Sequence, residues 1–69
     1  DQLRRYATLS QREKQILRLL SSGENINGIA TVLNISNKTV STHKTRMMEK
    51  MQFDNNAEII KFAIRYHKL

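Results

Sequence analysis

The run Ile29-Ala30-Thr31-Val32-Leu33-Asn34-Ile35-Ser36-Asn37-Lys38-Thr39-Val40 constrains this chain most. It reads as a helix, a short break at Asn34-Ile35, and the capped start of a second helix. Ser36 has the small side-chain oxygen that can take up an amide of the following turn. The second helix carries Lys38 and Thr39 in its first turn and continues through Ser41, Thr42, His43, Lys44, Thr45 and Arg46.

The rest of the chain reads as helical too. Proline is absent, glycine occurs twice, and no β-branched run with period two is present. The expected fold class is all-α, a four-helix bundle-like domain containing a helix-turn-helix. Residues 1–8 are expected to be a linker remnant and 9–69 the domain. Ser10-Gln11-Arg12-Glu13 is a capping box, in which Ser10 serves the amide of residue 13 and Glu13 reaches back. Helices are predicted at about 11–21, 26–33, 37–52 and 56–67. Gly23 is the expected left-handed terminator of the first. Asn25 is the expected cap of the second, where Gly28 costs about 1 kcal/mol against alanine. Asn55 with Glu58 forms a further cap pair.

At about 100° per residue, Val40, Met47 and Met51 share one side of the third segment, with Lys44 at its margin. This is the predicted buried seam, and the methionines Met47, Met48 and Met51 are read as core filling. Lys38, Thr42, Thr45 and Glu49 centre on the opposite side, with Ser41 and Arg46 at its edges. In the last segment, Ile59, Phe62 and Ala63 are expected to face the core. Ile60 and Ile64, four apart, form a second apolar stripe. That stripe is either a small dimer contact or an enlargement of the core.

The chain has 69 residues, twelve Lys+Arg against six Asp+Glu, and a net charge of +6. This length allows one small core and no separate catalytic domain. The basic balance points to a polyanion. No cysteine is present, which removes disulfides and thiolate metal sites. No apolar run approaches the roughly 20 residues that span a bilayer. A helix whose front half offers hydroxyls, amides and cations suits the major groove of double-stranded DNA.

Leu9-Ser10-Gln11-Arg12-Glu13, Gly23, Ile29-Ala30, Leu33, Ile35-Ser36, Lys38-Thr39-Val40, His43 and Lys50-Met51 together resemble the DNA-binding domain of LuxR/NarL/FixJ-type bacterial transcription regulators. The resemblance covers about residues 9–69, and the run from Ser36 to Arg46 is most similar to the response-regulator branch. It implies a four-helix domain that binds DNA as a homodimer, with its third helix in the major groove and its fourth between protomers. It further implies a cytoplasmic, bacterial, nucleoid-associated protein and no cofactor. A receiver or sensor domain is expected on the N-terminal side, and RNA polymerase is a further expected partner. The chain departs from the family pattern at Gly28, where Glu is usual, at Lys44, at Gln52, where Gly is frequent, and in the run Glu24-Asn25-Ile26-Asn27.

By family position, Ser41, Thr42 and Thr45 are the expected base readers. Lys38, Thr39, His43, Lys44, Arg46 and Lys50 are the expected phosphate contacts, helped by the amides at the helix start. The plainer alternative is an ordinary solvated face. Arg46 has a guanine as its second option, and His43 has partial packing as its own. Asn25 and Asn37 are either backbone contacts or caps. No metal site is expected, because His67 is the only other histidine and no carboxylate cluster accompanies either. Ile60 and Ile64 are the expected dimer interface.

Two other readings compete. A promoter-reading sigma-factor domain shares the Leu-Ser-x-Arg-Glu and Ile-Ser-x-x-Thr-Val patterns, but the full amphipathic segment from Asn55 fits it less well. A basic helical module could instead meet an acidic protein partner. An enzyme is not expected, because no paired carboxylates, nucleophile–base set or phosphate-cradling glycine loop is present.

Overall fold

Every helix of the computed structural model starts behind a side chain that takes up an orphan amide. The structure describes residues 1–66, which form α1 (Gln2–Ala7), α2 (Gln11–Ser21), α3 (Ile26–Leu33), α4 (Asn37–Met51) and α5 (Asn56–Arg65). The Ser10, Asn25 and Ser36 side chains accept from the amides of Glu13 at 3.1 Å, Gly28 at 2.8 Å and Thr39 at 3.0 Å. Asn55 accepts from Glu58 at 3.2 Å, while the Glu58 carboxylate turns back to the amide of Asp54 rather than that of Asn55. Each cap of this kind is worth about 1 kcal/mol.

Three helices also end alike. Gly23, Asn34 and Gln52 adopt φ of 98°, 56° and 59°. The next amide in each case reaches back to a carbonyl of the last turn: Glu24 to Leu19 at 3.1 Å, Ile35 to Ala30 at 3.0 Å, and Phe53 to Met48 at 2.9 Å. This arrangement satisfies carbonyls that a helix end otherwise leaves open. Between α3 and α4 it also folds Ile35 back onto a core cluster, so the break joining the two helices is anchored at both ends.

The core has two parts. Ile16 of α2, Ile29 and Ala30 of α3, and Val40 of α4 form one. Leu9, Leu17, Met47, Met51, Phe53, Ile59 and Phe62 form the other. The predicted seam of α4 therefore contributes to both: Val40 to the first, Met47 and Met51 to the second. Complete burial of such a side chain is worth about 1.5–3 kcal/mol. Helix α2 lies between the two clusters, packing on α4, α5 and α3.

Residues 1–8 correct the expectation of a linker remnant, and the described helices number five rather than four. Asp1 caps α1 by accepting from the Arg4 amide at 3.0 Å. Tyr6 stacks on Phe62 with ring centroids 5.8 Å apart, and the Lys14 ammonium sits 5.1 Å from the Tyr6 ring. A six-residue segment is too short to be stable alone, so α1 is held by its packing on α4 together with these contacts to α2 and α5. The helix expected at 37–52 stops at Met51, because Gln52 is left-handed. The one expected at 56–67 runs to Arg65; His67 lies outside the described residues.

Gln52 is exposed and carries a Cβ into the left-handed region, where a non-glycine residue costs about 1–2 kcal/mol. Gln52→Gly is therefore expected to raise stability by about 1 kcal/mol, net of the extra freedom it gives the unfolded chain. The urea unfolding midpoint measures this, and an unchanged or lowered midpoint contradicts it.

Candidate nucleic-acid interface

Burial of one stripe of α4 turns the opposite stripe outward. Lys38, Thr42, Thr45, Arg46 and Glu49 are exposed and Ser41 is half-buried, and these six line one shallow open groove along the helix. Five of them are expected DNA contacts. Thr42 donates its hydroxyl proton to the Lys38 carbonyl at 3.0 Å, which leaves its oxygen lone pairs outward as acceptors. No residue in the first turn of α4 is acidic, so the positive end of the helix dipole is uncompensated there. Hydroxyl, cation and helix dipole thus favour a negatively charged partner at the same end.

The remaining candidates do not line that groove. The Thr39 hydroxyl is 2.8 Å from the Ser36 hydroxyl that caps the helix, so it is already in a hydrogen bond. Lys44 is half-buried on the flank of α4, in a second depression that it shares with Ser41, Thr45 and Glu49 on one side and Ile26, Met48 and Phe53 on the other. His43 is half-buried too, and its Nδ1 has no hydrogen-bond partner and no exposure. That leaves Nε2 as the ring nitrogen able to meet a phosphate. Asn37 donates its side-chain amide to the side chain of Asn27, tying the start of α4 to the start of α3. Asn25 and Ser36 are both occupied as caps. Among the described residues, no group of three His, Asp or Glu side chains is placed to hold a metal.

Lys50, the last expected phosphate contact, is exposed but engaged in an ion pair within the domain. Its ammonium donates to Glu13 Oε1 at 2.8 Å, and the same oxygen accepts from the Ser10 amide at 2.9 Å. The Glu13 side chain is 4% exposed and that of Lys50 40%. The capping box was legible as a local device; its second partner lies 37 residues away, and nothing in the local spacing announces it. Burial pushes the Glu13 carboxyl up. The hydrogen bond and charge of Lys50 and the bonds to Ser10 outweigh this and hold it below its ordinary 4.5. The pair thereby fastens the rear of α4 to the front of α2.

Ile60 and Ile64 of α5 are 42% and 72% exposed. They do not enlarge the core, whereas Ile59 and Phe62 on the same helix are buried at 1% and 2%. Among the described residues, no helix is long and apolar enough to cross a membrane.

These features define a helix-turn-helix domain with an open polar face on its second helix. Residues 7–63 match the family described as bacterial regulatory proteins, luxR family. The chain belongs to this family and is a DNA-binding domain of transcription regulation. It is 38% identical over 61 residues to the response regulator UvrY of Escherichia coli K12, a match covering 88% of this chain and 28% of that protein. It is 41% identical over 58 residues to the DNA-binding transcriptional activator EvgA of the same strain, covering 84% of this chain and 28% of that protein. A third relative, the uncharacterized response regulatory protein YgeK, is 40% identical over 57 residues, covering 83% of this chain and 39% of that protein. The chain thus spans well under half the length of these relatives. A sigma-factor reading finds no support in these matches.

Glu13 is held by charge-assisted bonds, so its contribution to stability has a definite sign with pH. Its folded pKa is depressed, so the contribution is fully present above the ordinary value of 4.5 and is lost as pH falls below it, through the lower folded value. Glu13→Gln is expected to lower stability at pH 7 by about 1–2 kcal/mol, discounted for the partly solvated lysine. It should also flatten the acid limb of a plot of unfolding free energy against pH. Equal acid limbs for the two proteins would show that Glu13 does not carry this dependence.

Proposed function

We propose that this domain is the output domain of a two-component response regulator and reads double-stranded DNA with α4 in the major groove. The observation that carries this is the grouping of Lys38, Ser41, Thr42, Thr45 and Arg46 on one open face of a helix whose opposite face is buried. Ser41, Thr42 and Thr45 are the base readers. The hydroxyls of Ser41 and Thr45 can donate and accept, that of Thr42 accepts while its proton is held by the Lys38 carbonyl, and a threonine methyl can touch the methyl of thymine. They discriminate less sharply than a bidentate arginine, so sequence-dependent DNA shape contributes to recognition. Lys38 and Arg46, the α4 amides and His43 Nε2 meet phosphates, and Lys44 does so from the flank.

Two domains bind together, through the exposed Ile60–Ile64 stripe of α5, as a homodimer on paired half-sites. An upstream receiver controls this, which is supported by the greater length of the relatives, two of them named as response regulatory proteins. The protein acts in the bacterial cytoplasm without catalysis of its own.

If about six phosphates are neutralised per dimer, log K falls against log salt with a slope of about −5. Lys38→Ala is expected to weaken every DNA site alike and, removing one contact from each protomer, to reduce that slope by about 2. Thr45→Ala should shift the preference among sites by about 1 kcal/mol or less and leave the slope unchanged. Fluorescence anisotropy across salt, on several duplexes, separates these effects; identical behaviour of the two variants would remove the division of labour.

Ile60→Asp places a charge on the exposed stripe without touching the core. Cooperative binding to a two-half-site duplex should be lost, while affinity for a single half-site and the helical circular dichroism spectrum persist. Retained cooperativity would discard α5 as the interface.

A further inference from the structure

Glu49 is the one acid in the groove that the base readers line. Lys38, Thr42, Thr45 and Glu49 follow one another at intervals of four, three and four, so they form one stripe of α4. The carboxylate is exposed and takes part in no ion pair or side-chain hydrogen bond among the described residues. Arg46, one turn earlier, does not reach it, and Lys50, its neighbour in sequence, is engaged by Glu13. An uncompensated carboxylate on a surface that meets phosphates repels them. Its cost is removed only where it finds a donor.

The base edges of the major groove offer two such donors, the amino groups of cytosine and adenine. An ionised carboxylate accepts and cannot donate. Adenine sets the acceptor N7 beside its amino group and repels the second carboxylate oxygen. Cytosine sets a C–H beside its amino group and does not.

We propose that Glu49 is a specificity-determining residue that accepts a hydrogen bond from the N4 amino group of a cytosine in the operator. This rests on the reading of α4 as the helix in the major groove. Glu49 lies four residues beyond Thr45, or about 6 Å further along the helix axis. The basic front of α4 provides affinity and the acid at its rear selects register.

The test selects bound sequences from a random duplex pool with the wild-type domain, Glu49→Gln and Glu49→Ala. Urea unfolding confirms that these exposed-site variants remain folded. The wild type is expected to enrich cytosine about tenfold at one position flanking the bases read by the hydroxyls. Glu49→Gln should replace that cytosine by adenine, whose donor and acceptor edge an amide matches. Glu49→Ala should lose the preference at that position alone and bind random DNA several-fold more tightly. A motif shared by all three proteins overturns the role of Glu49 and leaves the groove reading intact. A uniform gain in affinity without a change of base at any position does the same. A wild-type domain that enriches no motif overturns the DNA reading itself, and this proposal with it.

Discussion

The buried stripe of α4 is the constraint on which the remainder depends. Val40, Met47 and Met51 lie on one side of a helix and are at most 1% exposed. Because successive residues turn by about 100°, burying that side leaves no freedom in where the others point. The stripe is also divided between two clusters, with α2 and α3 around Val40 and α2 and α5 around the methionines. A helix held at both ends by different neighbours can neither rotate nor tilt without opening one of them. The outward aim of Thr42 and Thr45 is thus a consequence of core packing.

Glu13 adds an electrostatic fastening to this arrangement. One oxygen closes the start of α2 through Ser10 and meets the rear of α4 through Lys50. A buried carboxylate with these partners contributes more to orientation than to net stability, since removing charge from water offsets much of the attraction. Its effect on the outward face of α4 is indirect: the ammonium of Lys50 is engaged by Glu13, and Lys38, Lys44 and Arg46 are the cations of α4 that no ion pair engages among the described residues. Glu49 then stands at the rear of that face without a neutralising partner.

The local punctuation of the chain was largely legible. Ser10, Asn25, Ser36 and Asn55 were expected caps and serve as such, because a cap needs only a small oxygen and an amide three residues on. Gly23 ends α2 for an equally local reason. The α4 seam was legible from periodicity. Other features were not. Helix α1 has no buried residue of its own; it exists because it packs on α4 and because Tyr6 finds Phe62, partners in the second half of the chain. The left-handed turn at Gln52 was hidden because the residue there does not favour it. The ion pair of Lys50 was hidden because its acceptor is far away in sequence.

The sequence by itself determined where helices begin, which side of each is apolar, and that the chain carries an excess of positive charge. All of these follow from interactions within a few residues or from composition. Only the tertiary structure decided which polar side chains remain available. It tied Lys50 to Glu13, turned His43 Nδ1 inward, exposed Ile60 and Ile64, and assembled Lys38, Ser41, Thr42, Thr45, Arg46 and Glu49 around one groove. The physical reason is that availability depends on what each group meets across the fold, and a contact spanning dozens of residues leaves no mark on the local spacing at either end.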